Sequence, residues 1–169
     1  MVIRATKITD APRIACIHVE SWRGAYRGLI SDAVLDAQSV ERREIFWRKR
    51  LSEMTGAVFV AEDNGVVFGF CDLIPSRDKD ADSQIAEIAA IYILPNFWRK
   101  GAGRLLCDSA LAEARHQKYK LVTLWILASN KGAKHFYETI GFRSDGATKT
   151  VKMVDGSELN EMRFRIDLV

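Results

Sequence analysis

The chain has 169 residues, of which 48% are hydrophobic, 28% charged and 9% aromatic, a balance that excludes collagen-like, coiled-coil and disordered architectures. Its 25 Lys and Arg against 22 Asp and Glu leave a net charge of +3, and the longest basic run is the trio Arg48-Lys49-Arg50, so charge alone makes no case for a nucleic-acid partner. Apolar stretches reach about ten residues, short of the ~20 that span a bilayer, and the widely spaced Cys16, Cys71 and Cys107 form neither a C-x-x-C pair nor a disulfide framework.

These features lead to one domain over residues 1–169, in a cytoplasmic setting with reduced thiols, no membrane contact and no bound metal. In chain order, Val2 to Ala5 reads as an opening strand. Thr9 or Asp10 offers an N-cap, with Pro12 just inside the following helix, where its missing N–H costs nothing. Ile14, Ile17, His18 and Trp22 recur at helical spacing, and the position of His18 on this apolar stripe marks it as a core or cleft residue. Gly24-Ala25-Tyr26-Arg27-Gly28 reads as a loop, and Ser39 as the cap of a second helix carrying Ile45, Phe46 and Leu51. The period then changes. Ala57 to Ala61 and Val66 to Ile74 form a hairpin about Asp63-Asn64-Gly65.

A polar loop from Pro75 to Ser83 carries Asp78, Asp80 and Asp82, and Ile85 to Leu94 is the most strand-like segment, closed by Pro95. Gly101 opens a helix to about Lys118 that buries Leu105, Leu106, Ala110 and Ala114. Leu121 to Leu127 is a strand, Asn130 caps a helix that ends at Gly141, and a hairpin about Asp155-Gly156 completes the chain, with strands near Ala147–Val154 and Glu161–Leu168. The order β-α-α-β-β-β-α-β-α-β-β gives a mixed α/β domain. Its sheet is mostly antiparallel, with a right-handed parallel strand–helix–strand unit over residues 85–127 and about four flanking helices.

The sharpest local feature is the passage from Ile93 through Pro95 to Arg99-Lys100-Gly101-Ala102-Gly103-Arg104, where a strand ends and two glycines start a helix among cations. Free N–H groups and partial positive charge at a helix start suit a pyrophosphate. A P-loop string is absent, and a dinucleotide fingerprint would need a small residue where Leu106 stands.

Ile93-Leu94-Pro95 with the following FWRKGAGRLL resembles the acetyl-CoA signature V-x-P-x-x-[QR]-x-x-G-x-[GA] of the GNAT superfamily of N-acetyltransferases. Asn130 to Tyr137 followed by Gly141-Phe142 resembles that family's second motif, N-x-x-A-x-x-F-Y-x-x-x-G-F. The predicted element order agrees with the family over essentially the whole chain. One position departs: Trp98 stands where the signature carries Gln or Arg.

The resemblance implies an acetyl-CoA-dependent transferase that acts by direct transfer within a ternary complex. It places the pyrophosphate on Arg99, Lys100, Gly101, Ala102, Gly103 and Arg104, and the pantetheine arm on backbone of Ile91, Tyr92 and Ile93 and on Asn130. Tyr137 falls on the tyrosine that protonates the departing thiolate, a role suited to a phenol of pKa ~10. Glu87, six residues before Ile93, stands in the register of a glutamate base, with a water chain as the alternative. On a regular strand Glu87 shares a side with Ala89 and Ile91 unless a bulge intervenes. Trp22 and Tyr26 are candidate walls of the acceptor pocket, and Asp78, Asp80 and Asp82 could steer a cationic amine. The expected partner is a small amine or amino-acid-like acceptor. A protein N-terminus or lysine, a non-catalytic coenzyme-A sensor and a homodimer stay open.

Overall fold

A computed structural model describes residues 1–53 and 55–168. Seven strands form one sheet: β1 (Val2–Ala5), β2 (Ala57–Asp63), β3 (Val66–Pro75), β4 (Ile85–Ile93), β5 (Leu121–Leu127), β6 (Arg143–Lys152) and β7 (Glu158–Asp167). Five helices flank it: α1 (Ala11–Tyr26), α2 (Asp32–Asp36), α3 (Val40–Ser52), α4 (Ala102–His116) and α5 (Lys131–Ile140). The strand order is β1-β2-β3-β4-β5-β7-β6. Every neighbouring pair is antiparallel except β4 with β5, the pair joined by the α4 crossover.

Local chemistry explains most boundaries. Asn64 and Gly65 both take positive φ, 48° and 79°, which matches the twist of a tight hairpin between β2 and β3. Ser31 and Ser39 accept hydrogen bonds from Val34 N and Arg42 N at the starts of α2 and α3, and Asn130 Oδ1 accepts from Ala133 N at 3.0 Å to start α5. Gly141, at φ 113°, ends α5. Asp10 precedes α1 without capping it; its carboxylate instead accepts from Lys7 N and from Arg4.

Three sequence expectations are corrected. Gly24-Ala25-Tyr26 is the last part of α1 rather than a loop. A Cβ on Gly24 would lie 2.7 Å from Pro95 Cγ, so the glycine lets α1 press on the turn after β4, which outweighs its low helix propensity of about 1 kcal/mol. Leu105 is exposed, and the buried stripe of α4 is Leu106, Cys107, Ala110, Leu111 and Ala114. The C-terminal strands begin at Arg143 and Glu158, earlier than their hydrophobic residues suggest.

The sheet separates two cores. On one face α4 packs against Phe68, Cys71, Leu73, Ile88, Leu124 and Phe164. On the other, Ile14, Ile17 and Trp47 from α1 and α3 pack against Val60 and Phe70. His18 lies in this second layer, its ring centroid 5.0 Å from that of Tyr92, and its Nδ1 accepts from Trp47 Nε1 at 3.2 Å. Burial, reinforced by the positive charge of Arg43, lowers its pKa to about 3, so the imidazole is neutral in the native protein. The unfolded chain therefore takes up a proton that the native state refuses between the ordinary value of 6.5 and about 3. Stability should fall as pH drops through this window, by up to about 1.4 kcal/mol per pH unit. Urea titrations between about pH 6 and 4 test this: His18→Asn, which keeps an acceptor for Trp47 but cannot titrate, should flatten the slope.

Candidate active site

The parallel pair is short. β4 and β5 register only over Ile85–Glu87 against Leu121–Thr123, after which the strands part. The gap is a cleft of about 840 Å³, walled by Ile88–Ile93 of β4, Leu124–Leu127 of β5, the start of α4 and the inner face of α5, with Ser21 and Tyr26 closing it from α1.

Hydrogen bonding decides which part of β4 faces that gap. Leu94 N donates to Phe68 O of β3, and β4 pairs regularly with β3 from Ala90 to Ile93. By the alternation of an antiparallel ladder, the polar groups of Tyr92 also point to β3, whereas those of Ile91 and Ile93 point into the cleft. The Ile93 carbonyl accepts from Trp98 Nε1 at 2.6 Å. This leaves both polar groups of Ile91 and the N–H of Ile93 as an unpaired strand edge. Ser21 Oγ, buried on the α1 wall, also lacks a hydrogen-bond partner among the described residues.

The loop at the cleft mouth is shaped for an anion. Arg99 and Gly101 both take positive φ, 58° and 84°, and Gly101 precedes α4 with no side chain capping the first-turn amides. Those N–H groups stay available, and no acidic side chain occupies the first turn. The two glycines serve different ends. A Cβ on Gly101 would meet nothing within 4 Å, whereas one on Gly103 would lie 3.1 Å from the Phe136 ring, so Gly103 sets how closely α4 approaches α5.

Tyr137 is the one fully inward residue of α5, packed edge-on against Phe136 and Phe142 at 5.0 and 5.6 Å. Burial pushes its phenol well above the ordinary value of 10.0, so it carries its proton at neutral pH. Asn130 lines the same cleft, its Oδ1 committed to the α5 cap.

Of the residues singled out in the sequence, Ile91, Tyr92, Ile93, Arg99, Gly101, Ala102, Gly103, Arg104, Asn130, Tyr137 and Tyr26 converge on this cleft. The backbone of Tyr92 is committed to β3, and its ring packs against His18 and Phe70. Lys100 stands over the Phe97 ring, 5.2 Å from its centroid, and Arg104 leans on Asp108 and the Thr139 carbonyl. Trp22 lies behind the wall, donating to Tyr92 Oη at 2.8 Å and packing edge-on against Tyr26.

Glu87 is elsewhere. Ala90 pairs with Asp72 and Ile88 with Leu73, so Ala89 is an extra residue, a bulge in β4. The bulge shifts the alternation, setting Glu87 on the face of Ala90 and Tyr92 rather than that of Ile91. Glu87 is buried there, accepting from Arg77 N at 3.2 Å and Arg77 Nε at 3.1 Å and ion-paired with the same guanidinium. The acidic loop is committed too: Arg163 binds Asp78 at 3.1 Å and Asp80 at 2.7 Å, Trp125 donates to Asp78, and Asp82 accepts from Gln84 N. The unpartnered Ser21 is one cleft residue that sequence reasoning passed over, since a serine within a helix carries no signal of its own.

A parted sheet, an uncapped helix start and a protonated phenol thus meet in one cleft. The chain belongs to the GNAT acetyltransferase family, whose model matches residues 19–142. It is 31% identical over 131 residues to the N-acetyltransferase YuaI of Bacillus subtilis, covering 77% of this chain and 73% of that one. It is 27% identical to the L-amino acid N-acyltransferase MnaT of Escherichia coli, covering 84% and 79%. The fold matches that of yncA from Salmonella typhimurium, solved with its cofactor acetyl-CoA, at a TM-score of 0.77 and 23% identity, over 100% of this chain and 94% of that one. No helix among the described residues is long and apolar enough to cross a membrane.

The left-handed turn at Gly101 makes a specific demand. Gly101→Ala should lose about 1 kcal/mol of unfolding free energy through backbone strain alone, because its methyl group would touch nothing. A lower urea midpoint with an unchanged m-value checks this.

Proposed function

We propose that the protein transfers an acetyl group from acetyl-CoA directly to a primary amine, the acceptor being a small amine or amino-acid-like molecule. The observation that carries this reading is the unpaired β4 edge at Ile91 and Ile93, facing the uncapped start of α4 and the buried Tyr137 across one cleft. The residues present fit the donor: a strand edge for an amide-bearing arm, free helix amides for a pyrophosphate, and an orphaned Ser21 hydroxyl that gains from a polar partner. The names of MnaT and of the yncA complex support the same reading.

When bound, acetyl-CoA supplies an activated thioester carbonyl. The Ala102, Gly103 and Arg104 amides and the Arg99 side chain bind its diphosphate, with Lys100 and Arg104 adding positive charge at the mouth. Ile91 and Ile93 N–H groups hold the arm and stabilise charge that develops on the acetyl oxygen. Asn130 adds a contact through its amide nitrogen. Tyr137 holds the proton that the departing sulfur needs. Tyr26 closes the cleft from α1, and Trp22 positions it by packing edge-on against its ring and donating to Tyr92. Solvent receives the amine proton, because the Glu87 carboxylate is held by the backbone and guanidinium of Arg77.

Thermal denaturation tests the donor. Acetyl-CoA at about a hundred times its Kd should stabilise by about 2.7 kcal/mol, and no shift would overturn the reading. Tyr137→Phe should keep that shift while kcat falls about 10²-fold; unchanged turnover would remove Tyr137 from the chemistry. Glu87→Gln, which weakens the Arg77 pair, should lower the melting temperature yet leave the shape of the pH–rate profile intact. Loss of that profile's acidic limb would restore Glu87 as the base.

A further inference from the structure

A second chamber lies on the opposite side of β4 from the helix α4, between α1, α3, the end of β3 and the bulge of β4, with a volume of about 640 Å³. Ala89 and Ala90 at the bulge line both this chamber and the donor cleft, so the two cavities meet at the bulge. Its charges are unequal. Arg50 is matched by Asp72 at 2.6 Å, and Arg77 by Glu87. The third guanidinium, that of Arg43, is half-buried and donates to the neutral Gln38 Oε1 at 3.0 Å. No Asp or Glu stands within ion-pair distance of it among the described residues, and its desolvation lowers its pKa without a carboxylate to offset the effect.

Three guanidiniums thus line the chamber with one carboxylate, Asp72, while Glu87 pairs Arg77 from outside the lining and His18 beside them is neutral. A partly desolvated cation without a counter-ion favours an anionic ligand, and a planar guanidinium fork suits a carboxylate. The same charge disfavours ammonium groups, which repels diamines and basic side chains. Asp78 and Asp80 of the neighbouring loop are tied to Arg163 of β7.

We propose that this chamber is the acceptor site and that Arg43 selects amines carrying a carboxylate, such as free α-amino acids. The proposal rests on the acetyl-transfer reading above and names the substrate class of that site. The reactive form of such an acceptor, a neutral amine with a carboxylate, is a monoanion that matches the single excess positive charge. Arg43 also lowers the ammonium pKa by repulsion, raising the fraction of neutral nucleophile. The ammonium gives one proton to water, the N–C bond forms as the C–S bond breaks, a second amine proton leaves to solvent, and the thiolate takes the Tyr137 proton, which water replaces. The sum is an N-acetyl amino acid, free thiol and one proton.

Calorimetric titration reads this without turnover. Each common L-α-amino acid and its amide, with putrescine as the cationic control, is titrated into the protein with and without coenzyme A. At least one amino acid should bind tenfold or more tighter than its amide, and putrescine should bind more weakly than that amino acid. Arg43→Gln should bring the acid-to-amide ratio near one while the acetyl-CoA thermal shift is kept. Arg43→Lys, which keeps the charge, should hold an intermediate ratio and decides the matter if the glutamine variant does not fold. Equal binding of acid and amide, tighter binding of putrescine, absence of any acceptor binding, or a ratio unmoved by the variants would each overturn the proposal. Failure of the acetyl-transfer reading shows separately, as loss of the acetyl-CoA shift or of thiol release.

Discussion

The structure turns on the early parting of β4 from β5. Three residue pairs hold the two strands together, and beyond Glu87 and Thr123 their edges face an opening. An unpaired strand edge in a protein interior is costly, and this one is sustained because β4 is still fully engaged by β3 on its other side. The open edge creates the cleft, and the surrounding elements are fitted to it: α4 starts at its mouth, α5 turns Tyr137 inward, and α1 closes the far side.

Much of this was legible in the residues. Asn64-Gly65, Ser39, Asn130 and Gly141 fix turns and helix ends by short-range chemistry. The glycine-flanked start of α4 and the Phe136-Tyr137 pair also declared themselves, because backbone conformation and helix register are local properties. The β4 bulge did not. Whether Ala89 is paired or extruded depends on the register against β3, a long-range fact that reverses the face of Glu87. A glycine likewise reads as a break in isolation, yet Gly24 continues its helix because Pro95 presses on it from seventy residues away.

Charge was the least readable feature. The aspartates of the loop before β4 look like free acids in sequence, yet Arg163 of β7 gathers Asp78, Asp80 and Asp145 into one cluster. That cluster ties the loop to both C-terminal strands. Arg43, in a helix crowded with arginines, looks like one more solvated cation. Its distinction is that no carboxylate among the described residues stands beside it, and only the packing of α3 over the sheet shows this.

The bulge that displaces Glu87 also decides how thick the partition between the two chambers is. At that point both spaces are bordered by the same two alanines of β4, so no side chain larger than a methyl group stands beside the strand backbone there. Reach across the sheet is therefore governed by volume at positions 89 and 90 rather than by any functional group there. Variation at these two positions would work as a gauge, narrowing the space on either side of the strand while every charged and catalytic group stayed in place.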